Sequence, residues 1–283
     1  IPGKWVDPTA ENNEAVRMAA NNGHTGVVRA LLDWVGPGDT KVDPTVENNW
    51  AVRMATEGGH TEIVKALLKW NKIPGKRVNP VVEDNWAVRL AARHGHLQVV
   101  QALLAWKEID GIRVDPTASR NQAVRFAAIH GHADVVKAFL DWKGIDGIRV
   151  DPTMDNNWVF RLAAQNGHLN VIKELLAWNN IPGKWVDPTA ENNEAVRSAA
   201  RHGHLHVVKE LLEWRGPAGK TVDAFPELVE IALGEPVNND LLEMIFEERE
   251  ARPRWSPIRR AWVSMVVLSP DIDVGVGVGV GVR

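Results

Sequence analysis

Six times along this chain an Asp-Pro or Asn-Pro pair opens a stretch that runs through an arginine and a Gly-His pair to a tryptophan. The openings stand at Asp7, Asp43, Asn79, Asp115, Asp151 and Asp187, a constant step of 36 residues (43 − 7 = 36). The Gly-His pairs keep the same step from Gly23-His24 to Gly203-His204, and so do the tryptophans from Trp34 to Trp214. A fixed period of this size constrains the fold more tightly than any property of composition. One unit of this length has too few large apolar side chains to offset the entropy of ordering its backbone. Stacked units share a continuous core and escape that limit.

The second copy serves as the specimen. Asn49 is a favourable N-cap residue, and Trp50 to Glu57 contains mostly adequate helix formers. Gly59 ends that helix, because glycine takes the left-handed C′ conformation without steric cost. A second helix is expected from about Thr61 to Trp70, with Ile63, Val64, Leu67 and Leu68 forming its apolar stripe. Ile73-Pro74-Gly75-Lys76 then makes a turn, and Asp110-Gly111 and Asp146-Gly147 are hairpin signals at the matching place in later copies. The expected fold is an all-α repeat solenoid, built from stacked helix-turn-helix units with projecting hairpin loops.

These units resemble ankyrin repeats of a divergent type. The second-helix pattern of that family, Gly-His followed by Val-Val and Leu-Leu, is matched by Gly95-His96, Val99-Val100 and Leu103-Leu104. Its first-helix Ala-Ala is matched by Ala91-Ala92. The family's Thr-Pro-Leu-His helix start is replaced by Trp86-Ala87-Val88-Arg89, and the period is longer than the family's, which lengthens the connection after the second helix. The resemblance covers Val6 to about Asp223, and six ankyrin-like repeats are expected over residues 1–222. It implies that the histidines help cap the second helices, and that partners bind in a concave groove and at the hairpin tips.

Beyond residue 222 the period fails. Residues 223–251 are expected to form a degenerate C-terminal capping repeat, its first helix ending at Gly234 and its second opening at Asn239. Residues 252–283 contain a proline-bearing connector, a short helix or strand, and a Val-Gly low-complexity tail from Val274 to Val282. At the other end, Ile1 to Arg17 repeats Ile181 to Arg197 letter for letter. The chain thus begins inside the motif, as a fragment of a longer array or a processed product would, so a targeting peptide is not assessable.

Composition narrows the function classes. A net charge of −3 is not that of a nucleic-acid-binding surface. The absence of cysteine rules out disulfides and thiolate metal sites and suits an intracellular, cytoplasmic setting. No stretch reaches the roughly 20 apolar residues of a membrane span. Serine is scarce and no nucleophile elbow or phosphate-cradling glycine loop occurs, so no enzyme is expected. No cofactor is expected either. A metal on the histidine column is not expected, since ligands must stand about 2 Å from one ion.

Positions identical in all six copies point to stacking, and positions that vary are free to bind. The constant arginines at 17, 53, 89, 125, 161 and 197 either grip a polyanion or donate to loop carbonyls and the root Asp. The constant tryptophans are either a packing ladder or a stacking platform. A second set, Trp50, Trp86 and Trp158, shares its position with Glu14, Gln122 and Glu194, so it is expected to be partly exposed. The other variable residues are Glu57, Arg93 with His94, Ile129 with His130, Gln165 with Asn166, and Arg201 with His202, each just before a Gly. With the tips Lys76, Ile112, Ile148 and Lys184, these form the expected partner-binding set. The expected function is a non-enzymatic protein-protein interaction scaffold, as a monomer or within a hetero-complex. The alternative is a structural subunit lodged permanently in a large assembly.

Overall fold

The computed structural model describes residues 6–106, 112–144, 147–178, 181–234 and 236–250. Its described residues contain fourteen α-helices and no strand. They fall into two compact units, one ending at Asp187 and the other beginning at Pro188.

The first unit contains five helix pairs: α1 (Ala10–Asn21) with α2 (Thr25–Asp33), α3 (Val46–Glu57) with α4 (Thr61–Lys69), α5 (Val82–His94) with α6 (Leu97–Ala105), α7 (Ala118–Ile129) with α8 (Ala133–Asp141), and α9 (Met154–Gln165) with α10 (Leu169–Ala177). Each first helix packs on the first helix of the next copy, and each second helix on the next second helix. Two parallel layers result. Between them lies a core built from the same positions in every copy, including Val64, Val100, Val136 and Ile172, all fully buried. Leu67, Leu103, Phe139 and Leu175 form the adjoining row, each contributing about 1.5–3 kcal/mol through burial. From the second root residue onward the preceding valine (Val42, Val78, Val114, Val150, Val186) is buried as well and anchors the loop to the stack.

The second unit holds α11 (Ala190–Arg201), α12 (Leu205–Glu213), α13 (Phe225–Ala232) and α14 (Asn239–Glu250). Here α11 packs on α13 and α12 on α14. The sixth copy therefore belongs with the two helices expected as a cap. Phe225, Leu228, Leu241 and Ile245 supply buried apolar surface between them.

Two local features depart from the sequence expectations. Asn49 does not cap its helix. Glu47, Asn48 and Asn49 form a left-handed turn (φ 51, 53 and 60°), and the right-handed helix starts only after it. The same three-residue turn recurs in all six copies. Left-handed backbone costs roughly 1–2 kcal/mol per non-glycine residue, least for Asn and Asp, whose short side chains bond locally. Four of the six turns end in two successive Asn residues for that reason, and the others end in Asp84-Asn85 and Arg120-Asn121. The second departure concerns the loops. Instead of two-stranded hairpins they contain tight turns and short 3-10 segments, such as Pro37–Asp39. Among the described residues their pairing includes the bond from Gly36 N–H to the Thr40 carbonyl (2.8 Å) and an isolated bridge between Val35 and Lys41. Lys76 N–H closes the Ile73–Lys76 turn at 3.1 Å, with Gly75 at φ +75°. Asp110-Gly111, Asp146 and the segment 251–283 lie outside the described residues.

Candidate interaction surface

Constant residues of the first unit are engaged in bonds within and between copies. In the first unit each Asn of the left-handed turn aims its side chain at the root of the following copy. Asn13, Asn49, Asn85 and Asn157 accept the backbone N–H of Asp43, Asn79, Asp115 and Asp187 at 2.8–3.1 Å. Asn121 turns its amide the other way and donates to the Asp151 carbonyl at 3.3 Å. The left-handed φ is what points this side chain away from its own helix. The root Asp in turn accepts from the Thr two residues later, as Asp43 does from the Thr45 N–H (2.9 Å) and hydroxyl (2.6 Å), which fixes the entry to the next turn.

The Gly-His pair works across copies too. His60, His96, His132 and His168 meet the carbonyls of Asn21, Glu57, Arg93 and Ile129 through Nε2 at 2.8–3.2 Å. Carbonyls only accept, so Nε2 carries the proton in each ring. These carbonyls sit near the ends of the preceding first helices, where no intrahelical donor remains. The ring reaches them by lying over the glycine of the preceding copy. A Cβ on Gly95 would stand 2.5 Å from His132 Nδ1, and Gly95 itself is left-handed at φ +73°. The backbone bond from His96 N–H to the Ala91 carbonyl (3.0 Å) completes the helix end.

The arginine column joins three elements. Arg17, Arg89 and Arg161 donate to left-handed-turn carbonyls of their own copies at 2.8–3.2 Å. Arg53 and Arg125 reach forward to Glu83 and Asp155 in the next copy. The variable column explains the rest. Trp50, Trp86 and Trp158 are half-buried, lying under the guanidinium groups of Arg17, Arg53 and Arg125 at 5.6, 4.3 and 4.3 Å from the ring centroids. Gln122 takes that place opposite Arg89 with a hydrogen bond. The alternation between Trp and a polar residue is thus an alternation between stacking and polar contact on one arginine, a role that spacing alone did not disclose. Of the constant tryptophans in the first unit, Trp70 and Trp178 are buried and Trp34, Trp106 and Trp142 half-buried, which favours the packing ladder over an exposed platform.

The residues before each glycine are placed differently. Glu57, Arg93, His94, His130, Gln165 and Asn166 are exposed and Ile129 is half-buried, all at the C-terminal ends of α3, α5, α7 and α9. The carbonyls of Glu57, Arg93 and Ile129 are held by the histidine bonds just described. His94 and His130 stack on His96 and His132 at 5.8 and 6.2 Å, and His130 Nδ1 donates to the Phe126 carbonyl. Burial first, and then the neighbouring charge of His96, holds the His94 imidazole below its ordinary pKa. In the second unit Arg201 is exposed and pairs with Glu194 at 3.3 Å, and His202 donates through Nδ1 to the Ser198 carbonyl.

The expected tip residues divide by chemistry. Lys76 and Lys184 fold back onto Asp43 and Asp151, the root carboxylates of their own copies. Ile112 and Ile148 are exposed at 44% and 50%. Lysine at the tip accompanies these two root aspartates, and isoleucine at 112 accompanies Asn79, which has no charge to pair. For Asp43 and Asp151, burial alone pushes the carboxyl up. The lysine and the Thr hydroxyl and N–H outweigh it and hold both groups below the ordinary value. A carboxylate with a depressed folded-state pKa adds stability above its unfolded pKa, about 4, and that stability is lost as pH falls through the folded value. Melting curves between pH 6 and pH 2.5 should therefore show a loss below pH 4 that is shallower in a Lys76→Met, Lys184→Met variant.

One further column was not singled out by its sequence. Lys41, Arg77, Arg113 and Arg149 occupy the same register in four successive copies, one residue before the buried valine. Lys41 pairs with Asp39 at 2.9 Å. Arg77, Arg113 and Arg149 make no ion pair or side-chain hydrogen bond among the described residues, and the first two are exposed. A recurring charge without a structural partner was the available signal.

Among the described residues, no group of three or more His, Cys, Asp or Glu is placed to hold a metal ion. No described helix is long and apolar enough to cross a membrane. No family model matches the chain, and no curated protein matches it.

Proposed function

We propose that this chain is an ankyrin-type repeat solenoid whose function is to hold a protein partner, without chemistry of its own. The carrying observation is the division of labour at each first-helix end. The carbonyls of Glu57, Arg93 and Ile129 are bound to the next copy, yet the side chains on the same residues differ freely, those of Glu57 and Arg93 exposed and that of Ile129 half-buried. A rigid backbone displaying interchangeable side chains binds with little ordering cost, which is the advantage of a pre-formed recognition surface. By resemblance to ankyrin arrays, these side chains line the groove that receives the partner. The absence of cysteine and the nearly balanced charge fit a scaffold of the cell interior.

Charge reversal provides the test. A Glu57→Arg, Arg93→Glu double variant should melt within about 1 °C of the parent, since exposed surface changes usually stay within ±0.5 kcal/mol. Partner recovered on immobilised parent protein should be lost on this variant. Equal recovery on both would remove the first-helix face as the binding surface.

A further inference from the structure

We propose that Arg77, Arg113 and Arg149 form a docking rail for an acidic segment in the extended polyproline II conformation. This rests on the scaffold reading and names the chemistry of the partner. Four copies in succession retain a cation at this register, and the three arginines among them engage nothing among the described residues. Among the described residues no carboxylate pairs with them. Asp43, the root carboxylate of the copy that Arg77 leaves, is taken by Lys76, and the root that follows Arg77 is the uncharged Asn79. Asp151, the root that follows Arg149, is taken by Lys184. Beside Arg113 and Arg149 stand the exposed Ile112 and Ile148, so each of these cations has an apolar surface next to it.

Spacing then selects the ligand. Packed helices stand about 8–10 Å apart, which sets the step from one arginine to the next along the stack. A polyproline II chain rises about 3.1 Å per residue with three residues per turn, so it places every third side chain on one face about 9 Å apart. A β-strand puts residues i and i+3 on opposite faces and fails this match. The fitting ligand carries carboxylates at i, i+3 and i+6, with proline or another apolar residue between them to lie on Ile112 and Ile148. Guanidinium groups suit carboxylates through their paired donors.

The probe is a labelled peptide of three Glu-Pro-Pro units, with a control of identical composition in which the three Glu are consecutive. Fluorescence anisotropy against the full chain at low salt should show the spaced peptide binding about tenfold more tightly, with affinity falling as salt rises. The Arg77→Gln, Arg113→Gln and Arg149→Gln substitutions should each weaken it roughly threefold, as exposed charge pairs do, and leave the melting temperature unchanged. Equal binding of the two peptides, no binding, or indifference to the triple variant would overturn the rail. So would tighter binding of a single-stranded oligonucleotide of equal charge. The triple variant leaves Glu57 and Arg93 intact, so a partner that ignores it but is lost on the charge-reversed first-helix face refutes the rail alone.

Discussion

Gly95→Ala should destabilise the first unit by roughly 2–4 kcal/mol, a large loss for the addition of one methyl group. Two costs combine. Alanine at φ +73° pays the left-handed penalty of about 1–2 kcal/mol. The new Cβ also meets the His132 ring, at 2.5 Å from Nδ1, and the ring cannot retreat without releasing its bond to the Arg93 carbonyl (3.1 Å). Gly75→Ala separates the two costs. Gly75 has a similar φ of +75°, but nothing lies within 4 Å of the position its Cβ would take, so this variant should lose only the backbone share. Chemical denaturation of both variants gives the comparison. Adding His132→Ala to Gly95→Ala should cost less than the sum of the single changes, because removing the ring removes the clash. Equal losses in Gly95→Ala and Gly75→Ala would show that the histidine contact between copies is energetically slack.

Asn49→Ala is expected to cost about 2–4 kcal/mol for a different reason. Asn49 is buried to 7% exposure, and its Oδ1 accepts the Asn79 N–H at 2.9 Å. Alanine leaves that donor without its partner, a loss of about 1–3 kcal/mol. It also gives up the tolerance of Asn for φ +60°. Asn49→Asp keeps the acceptor oxygen and should retain most of the stability. Asn49→Gly relieves the backbone but not the orphaned donor, and should fall between Asp and Ala. If glycine instead matched the parent, the side-chain bond would be dispensable and the turn alone would explain the constant Asn.

The period by itself made the helix pairs legible. Gly59 stops α3 as expected, and α4 runs from Thr61 to Lys69, within a residue of the expected span. Of the expected apolar stripe, Ile63, Val64 and Leu67 are fully buried and Leu68 is half-buried. Propensity nevertheless misplaced Asn49, because it recognises a side chain that bonds backbone but does not say whose backbone. An N-cap and a bond to a residue 30 positions ahead use the same atoms. Loop signals such as Ile73-Pro74-Gly75-Lys76 likewise read as hairpin tips, where the chain forms a turn tied down by Lys76 to Asp43.

At the interaction surface, comparing copies with one another separated constant from variable positions, but could not say what occupied each variable one. Trp50, Trp86 and Trp158 share their column with Gln122 because both residue types satisfy an arginine from the preceding copy. The sequence by itself determined the repeat, the helix pairs and the columns, since these follow from local propensity and from periodicity. Only the tertiary structure decided which columns bond to which. The contacts that hold the copies together join residues 30 to 39 positions apart, such as Asn49 to Asn79 and His96 to Glu57. Local sequence specifies the donors and acceptors, and stacking alone determines which of them meet.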